Sequence, residues 1–454
     1  MQKEAHIIIV GAGLGGICAA VELKKQFGFE NFTVCWQWYI PIYERDSHLG
    51  GCGCDVPAHW YSLSSELNPN WSEVYASQPE IRAYWENIFF KYGLAARTQF
   101  SSMVTSATWS NETQKYTVEV TDMISGSKNQ VEANIMFYAI GGFQKPVFSA
   151  DVPGADSFNG PIWHTARYNH TVELKGKRVG VIGNGCSGAQ LVPAISVDPS
   201  VQVTNFCRTP QWIVPRPNYV YPRWIKWMFA HLPFVMKLYR LFITLRFMSD
   251  YIASKAPKDE VERLIPSYPP GCKRIIVDPG YLDSLNRPNV NLSWAGIERI
   301  VDNGIKLKTG EVVPLDVIIF ATGFSVIPED LHVRGSKGVT VKEYFEAQGG
   351  PTAYLGCSAP GFPNLFLLLG PNVVSGSTSV IFVQEAQSVE VKDEVCEEYN
   401  SWLQNKLKGS VWTSCNSYYH RDGDKDTKII ATFPGSSLWL YWLMRKATRW
   451  GIGK

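Results

Sequence analysis

Short apolar runs that end on glycine recur along this chain, and after the first two of them the pattern changes period. In "HIIIVGAGLGGICAAVELKKQF", Ile7 to Val10 reads as a buried strand and the residues after the glycines follow a helical pattern. "RVGVIGNGCSGAQLVPAI" repeats the arrangement from Arg178. "DVIIFATGF" and "FYAIGGF" are strand-like runs ending in small residues, at Ala321–Thr322–Gly323 and near Ala139. The pattern therefore predicts two strand–turn–helix units, each with a returning strand.

One stretch breaks the pattern. In "NFTVCWQWYIPIYERD", deleting the eight residues from Val34 to Pro41 leaves "NFTIYERD", an alternating strand that ends on an acid. The expectation is a second strand interrupted by "VCWQWYIP". A second unusual stretch, from Arg223 to Met248, is apolar, aromatic and basic. Lys226, Lys237, Arg240 and Arg246 interrupt it before it reaches spanning length. Packing on a neighbouring domain or lining an apolar cavity is preferred for it over lying on a membrane surface.

The glycines are spaced as G-x-G-x-x-G: Gly11, Gly13 and Gly16 in the first turn, Gly183, Gly185 and Gly188 in the second. Such a triplet makes a tight turn, lets backbone approach a pyrophosphate and packs helix on strand, with the phosphates at the helix N-terminus. Two turns imply two dinucleotides. An acid about twenty residues on holds a ribose diol, and an arginine there suits a 2′-phosphate. Twenty residues past Gly188 stands Arg208, so the second site is expected to take NADPH. The candidate acid after Gly16 is Glu44, 28 residues on, and the eight-residue insert accounts for the excess.

Length and charge narrow the rest. With 454 residues the chain should hold two or three domains. A net charge of +2 without a Lys/Arg block argues against a nucleic-acid partner. Ten cysteines without paired spacing resemble neither a disulfide framework nor a zinc site, so reduced thiols, no metal and a cytoplasmic setting are expected.

Between the two turns lies "FNGPIWHTARY", with Phe158, Gly160, His164 and Tyr168 in the pattern F-x-G-x-x-x-H-x-x-x-Y. Together with the flanking turns it resembles the fingerprint of the class B flavoprotein monooxygenases. "CDVPAHWYS", "CRTPQWIVPRPN", "KRIIVDPGYLDSLNRPNV", "IIFATGF", "PNLFLLLGPN" and "FPGSS" resemble segments of the Baeyer–Villiger enzymes in that group, especially those of fungal secondary metabolism. The Baeyer–Villiger fingerprint ends in Trp, whereas Tyr168 ends it here, as in the flavin-containing group.

The resemblance implies FAD and NADPH as cofactors, and O2 and a ketone as substrates. One oxygen atom is inserted beside the carbonyl, giving an ester or lactone. Negative charge gathers on oxygen during the attack, so a fixed cation is the expected device. Arg274 matches the family's active-site arginine and Asp55 the carboxylate that holds it. Lys273 matches a contact to the NADPH 2′-phosphate beside Arg208, His164 a supporting histidine, and Asn372 a residue beside the flavin, with a loop-capping role as its alternative. The family also has a Trp/Tyr-rich segment of about ten residues where this chain runs directly from Gly51 to Cys52.

The expected architecture is α/β with two Rossmann-like lobes: an FAD lobe from residues 1–147 and 325–454, and an NADPH lobe from 155–216 and 272–324, with a helical insertion at 217–271. The expected activity is Baeyer–Villiger oxidation of an apolar secondary metabolite. Oxygenation at nitrogen or sulfur and a catalytically silent nucleotide-binding protein stand as alternatives, whereas a flavin disulfide reductase is disfavoured because Cys52 and Cys54 are too closely spaced for its usual C-x-x-C or C-x4-C pair. Oligomeric state is left open.

Overall fold

A computed structural model describes residues 5–37, 53–142, 145–148, 152–216, 218, 220–232, 251–325, 332–373, 390–435, 439, 440 and 443. Glu44, the Gly51–Cys52 join and residues 233–250 of the aromatic basic stretch lie outside these. The chain divides into two compact units, one of residues 1–42, 85–144 and 325–454, the other of 43–84 and 145–324.

The first unit is built on a five-stranded parallel sheet. Ile7–Val10 runs in its middle, between Phe32–Cys35 and Ile135–Tyr138, with Thr98–Gln99 and Leu365–Leu367 at the edges. All four residues of the central strand are buried, which is why it reads as an unbroken apolar run rather than an alternating one. Each such Ile or Val contributes roughly 1.5–3 kcal/mol by leaving water. A second sheet, of Ser102–Ser110, Lys115–Asp122, Lys128–Ala133 and His332–Arg334, shares its core through Val104, Tyr116 and Val118 with Ile8 and Met136.

The second unit repeats the plan. Arg178–Ile182 is central, flanked by Gln202–Phe206 and Val317–Phe320, with Val290–Ser293 and Ile162–His164 outside them, all parallel. The fold is thus α/β with two Rossmann-like sheets. The described part of the insertion contains the helices Arg223–His231, Tyr251–Lys255 and Val261–Leu264.

Three expectations change. Residues 43–84, read from the sequence as part of the FAD lobe, group with the second unit. The reason lies in their partners: Glu73 bridges to Val220, Arg216 donates to the Tyr75 carbonyl at 3.3 Å, and His59 packs edge-on against Tyr221 and Phe229. The insert does not begin at Val34 either. Val34 and Cys35 are buried strand residues paired with Ile9 and Val10, so any departure from the strand comes after Trp36. Finally, Cys18, Cys35, Cys54, Cys186, Cys207, Cys357 and Cys396 are free thiols, but Cys272 and Cys415 are disulfide-bonded. Pairing depends on proximity in the folded chain, which the spacing did not disclose.

Among the described residues no helix is long and apolar enough to cross a membrane. In Arg223–His231, Phe229 is buried while Trp224 and Trp227 are exposed, so the packing role applies to one face of that helix.

Candidate nucleotide-binding and active site

Both glycine turns have the same construction. Gly11 and Gly183 each have φ +108°, and a Cβ there would lie 2.7 Å from the Ala139 carbonyl oxygen or 2.6 Å from that of Ala321. Only glycine fits this close crossing of the returning strand. A Cβ at Gly16 or Gly188 would overlap the carbonyl oxygen of Gly11 or Gly183, so these positions hold helix against turn. Gly13 and Gly185 have no protein atom within 4 Å of an added Cβ. Each is the N-cap of the helix that follows, without a side-chain cap and without an acid in the first turn. The helix N-termini are left open to an anion.

In the second unit, Arg208 stands just beyond the strand Gln202–Phe206 and is exposed. Lys273 comes near it: burial lowers the lysine pKa, and the charge of Arg208 lowers it further. The Lys273 ammonium lies 5.2 Å from the centre of the Tyr268 ring. Tyr268 donates to the Pro210 carbonyl at 2.8 Å, and Trp212 Nε1 donates to the Tyr268 carbonyl at 2.8 Å. Parallel pairing of Ile213–Val214 with Ile276–Val277 locks the two segments in register. Two cations held together in this way are relieved by a dianionic group.

One residue on, Arg274 forms an ion pair with Asp55, and Tyr61 donates to the same carboxylate at 2.9 Å. Both charged side chains are about one-third exposed, at 37% and 31%, so the pair is open to a ligand. It lies near the second glycine turn: burial pushes the Cys186 thiol up to about 11, with Asp55 raising it and Arg274 lowering it. Cys186 is the first residue of the helix after Gly185.

His164 ends the strand Ile162–His164 and is 1% exposed. Its Nδ1 accepts from the Ala166 amide at 3.1 Å, and Phe148 and Phe324 meet its ring edge-on. Burial lowers its pKa to about 4, against a raising contribution from the Gly323 backbone, with Arg167 lowering it further. The imidazole is therefore neutral near pH 7 and sits where the Ala321–Gly323 return ends. Tyr168 packs edge-on against Trp163 at 5.5 Å between ring centres.

In the first unit, Leu368 at the end of the edge strand approaches Gly15 of the first turn, its Cβ 3.8 Å from where a Cβ on Gly15 would lie. Asn372 follows four residues later, buried and with φ +56°. Its amide donates to the carbonyls of Ile429 at 3.0 Å and Thr432 at 3.1 Å. This is the loop-capping role. Its Oδ1 is also buried, with no protein hydrogen-bond partner among the described residues, and so remains an acceptor for a ligand.

Residues 66–329 match the family described as flavin-binding monooxygenase-like, and residues 9–78 match an NAD(P)-binding Rossmann-like domain. A Baeyer–Villiger monooxygenase of Pseudomonas aeruginosa is 32% identical over 92% of this chain and 85% of its own length. This chain belongs to the flavin-binding monooxygenase-like family.

A second relative named a Baeyer–Villiger monooxygenase, from Streptomyces coelicolor, is 30% identical over 96% of this chain and 90% of its own length. The FAD-binding monooxygenase ktnD of Aspergillus niger is 30% identical over 92% of this chain and 77% of its own. An oxidized steroid monooxygenase bound to NADP has the same fold, with a TM-score of 0.81 and 26% identity over 98% of each chain. Cyclohexanone monooxygenase from Rhodococcus sp. Phi1, at 24% identity and TM-score 0.81 over 98% and 97% of the two chains, agrees in fold.

The family motifs did not reveal the support behind the second turn. Asn205 donates to the Val181 and Gly183 carbonyls, each at 3.0 Å, and accepts from the buried Tyr281 hydroxyl at 2.6 Å. Asp278 Oδ1 accepts from the amides of Gly280 at 2.9 Å and Tyr281 at 2.6 Å. The glycine turn is thereby tied to the segment that carries Lys273 and Arg274. A polar Asn in the middle of the apolar strand "VQVTNF" was the available signal, since a buried amide requires partners.

Proposed function

We propose that the protein is an FAD- and NADPH-dependent monooxygenase that inserts one oxygen atom of O2 beside the carbonyl of an apolar ketone, of the kind met in secondary metabolism. The Arg274–Asp55 ion pair carries the reading, because it is a fixed cation suited to the negative charge that gathers on oxygen as a carbonyl is attacked. Bound FAD and NADPH supply the reducing electrons and the activation of O2.

The residues present fit both groups. The open positions at Gly13 and Gly185, each at an uncapped helix N-terminus, suit two pyrophosphates. Arg208 and Lys273 hold the 2′-phosphate that distinguishes NADPH from NADH. Asp55 keeps the Arg274 guanidinium oriented, and Tyr61 orients Asp55. His164, neutral and buried, is a positioning residue for the return strand. The relatives named as FAD-binding monooxygenases of Aspergillus species fit a secondary metabolite as substrate.

Product analysis under labelled O2 with a panel of cyclic and aryl ketones, amines and sulfides tests the proposal. One labelled atom in an ester or lactone is the expected result. Label only on nitrogen or sulfur would replace the reading with heteroatom oxygenation, the alternative that Tyr168 favours.

A further inference from the structure

The helix Arg223–His231 packs by one side and shows the other to water. Phe229 is buried, with the His59 and Tyr221 rings edge-on to it at 4.9 Å and 5.6 Å between centres. Trp224 and Trp227 are 63% and 57% exposed. Helical spacing puts them on one face with Arg223, Ala230 and His231, all exposed, and puts Phe229 on the other. Single exposed apolar side chains are ordinary, but two neighbouring indoles form a patch.

The patch is also ordered and positively charged. The Trp227 ring stacks on the His231 imidazole, 4.8 Å between centres and 18° between planes, and His231 Nδ1 donates to the Trp227 carbonyl at 2.8 Å. Exposed Val220 precedes the helix, held by its backbone bridge to Glu73, and exposed Leu232 ends it. Arg223 lies on the face and half-buried Lys226 on its flank. No Asp or Glu occurs in the helix, nor anywhere from Pro199 to Ser249. The Glu73 carboxylate beside Val220 is engaged by the Asn218 amide.

We propose that this face docks on the surface of an anionic lipid bilayer. Indole rings settle at the headgroup level, where the ring is sheltered and the N–H stays among polar groups. Cations without acids beside them are drawn to an anionic leaflet. A second copy of the chain fits less well, because a two-fold contact through this face sets Arg223 and Lys226 against their own equivalents. No described helix is long and apolar enough to span, so the contact is interfacial, and the Phe229 side stays on the protein. The inference does not depend on which group the enzyme oxygenates.

Co-sedimentation of the full chain with vesicles of phosphatidylcholine, alone or with about one-third phosphatidylserine, tests it at low and high salt. The parent should sediment with the anionic vesicles, much less with the neutral ones, and less as salt rises. Trp224→Ser/Trp227→Ser and Arg223→Glu/Lys226→Glu should each weaken binding about tenfold or more. Quenching of tryptophan emission by brominated lipid should fall in the first pair. All these side chains lie outside the nucleotide and oxygenation sites, so melting temperature and NADPH oxidation in lipid-free buffer should match the parent and show that the variants are folded. A parent that ignores anionic vesicles overturns the proposal, as do folded variants that bind them as the parent does. Dimerisation of the parent that the Trp224→Ser/Trp227→Ser pair abolishes, without vesicle binding, would replace the bilayer with a second copy.

Discussion

Arg274 and Asp55 are 219 positions apart in sequence and form an ion pair, with the Tyr61 hydroxyl donating to the same carboxylate. Removing the cation should separate two stages of the reaction. In Arg274→Ala, anaerobic bleaching of the flavin by NADPH should proceed at close to the parent rate, while ester formation falls by roughly 10²–10³-fold, the size expected for loss of a charge-stabilising donor. Asp55→Asn should show a smaller loss of ester with the same intact reduction. Stopped-flow absorbance and product chromatography measure the two stages, and normal ester yield from Arg274→Ala would remove the residue from the mechanism.

Under the proposed function Arg208 and Lys273 act on one phosphate, so their effects should overlap. Either alanine substitution should raise the KM for NADPH about tenfold and leave that for NADH nearly unchanged, in line with a charge-assisted contact worth about 1.5–3 kcal/mol when sheltered and less at an exposed side chain. The double variant should cost less than the product of the two. Steady-state kinetics with both nucleotides decides it. An equal loss with both would mean that the cations do not read the 2′-phosphate.

The second glycine turn separates binding from stability. A Cβ at Gly185 meets no protein atom, whereas one at Gly188 overlaps the Gly183 carbonyl. Gly185→Ala should therefore fold with an unchanged melting temperature and bind NADPH poorly, and Gly188→Ala should lower the melting temperature by several degrees. Thermal melts with and without NADPH distinguish the two. The reverse pattern would show that no nucleotide approaches Gly185.

His164 gives the fold a pH dependence. Its folded pKa of about 4 lies below the 6.5 of a free histidine, so the unfolded chain binds the proton first. Its contribution to stability is complete above about pH 6.5 and is lost as pH falls toward 4, by on the order of 2–3 kcal/mol at 1.36 kcal/mol per unit. Denaturant unfolding of the parent and of His164→Asn across that window should show a shallower slope for the variant. Parallel slopes would mean that the buried imidazole is not the group responsible.

The glycine turns and return strands were legible in the sequence because their constraints are local. A backbone crossing at Gly11 or Gly183 excludes a side chain whatever surrounds it, and a strand buried on both faces must be apolar throughout. Arg208 was picked out by its spacing from Gly188, and Lys273, Arg274 and Asp55 by resemblance; the ion pair of Arg274 with Asp55 is a long-range contact that spacing alone cannot show. Asn205 and Tyr281 were not legible, since an amide in a strand says nothing of which hydroxyl will reach it.

By itself the sequence determined the α/β class and the two glycine turns. The tertiary structure decided that residues 43–84 join the second unit and that Val34 and Cys35 stay in their strand. Each of these depends on which strand a backbone amide or side chain meets after folding. Hydrogen-bond register between distant segments fixes that choice, and the order of residues along the chain does not encode it in any local pattern.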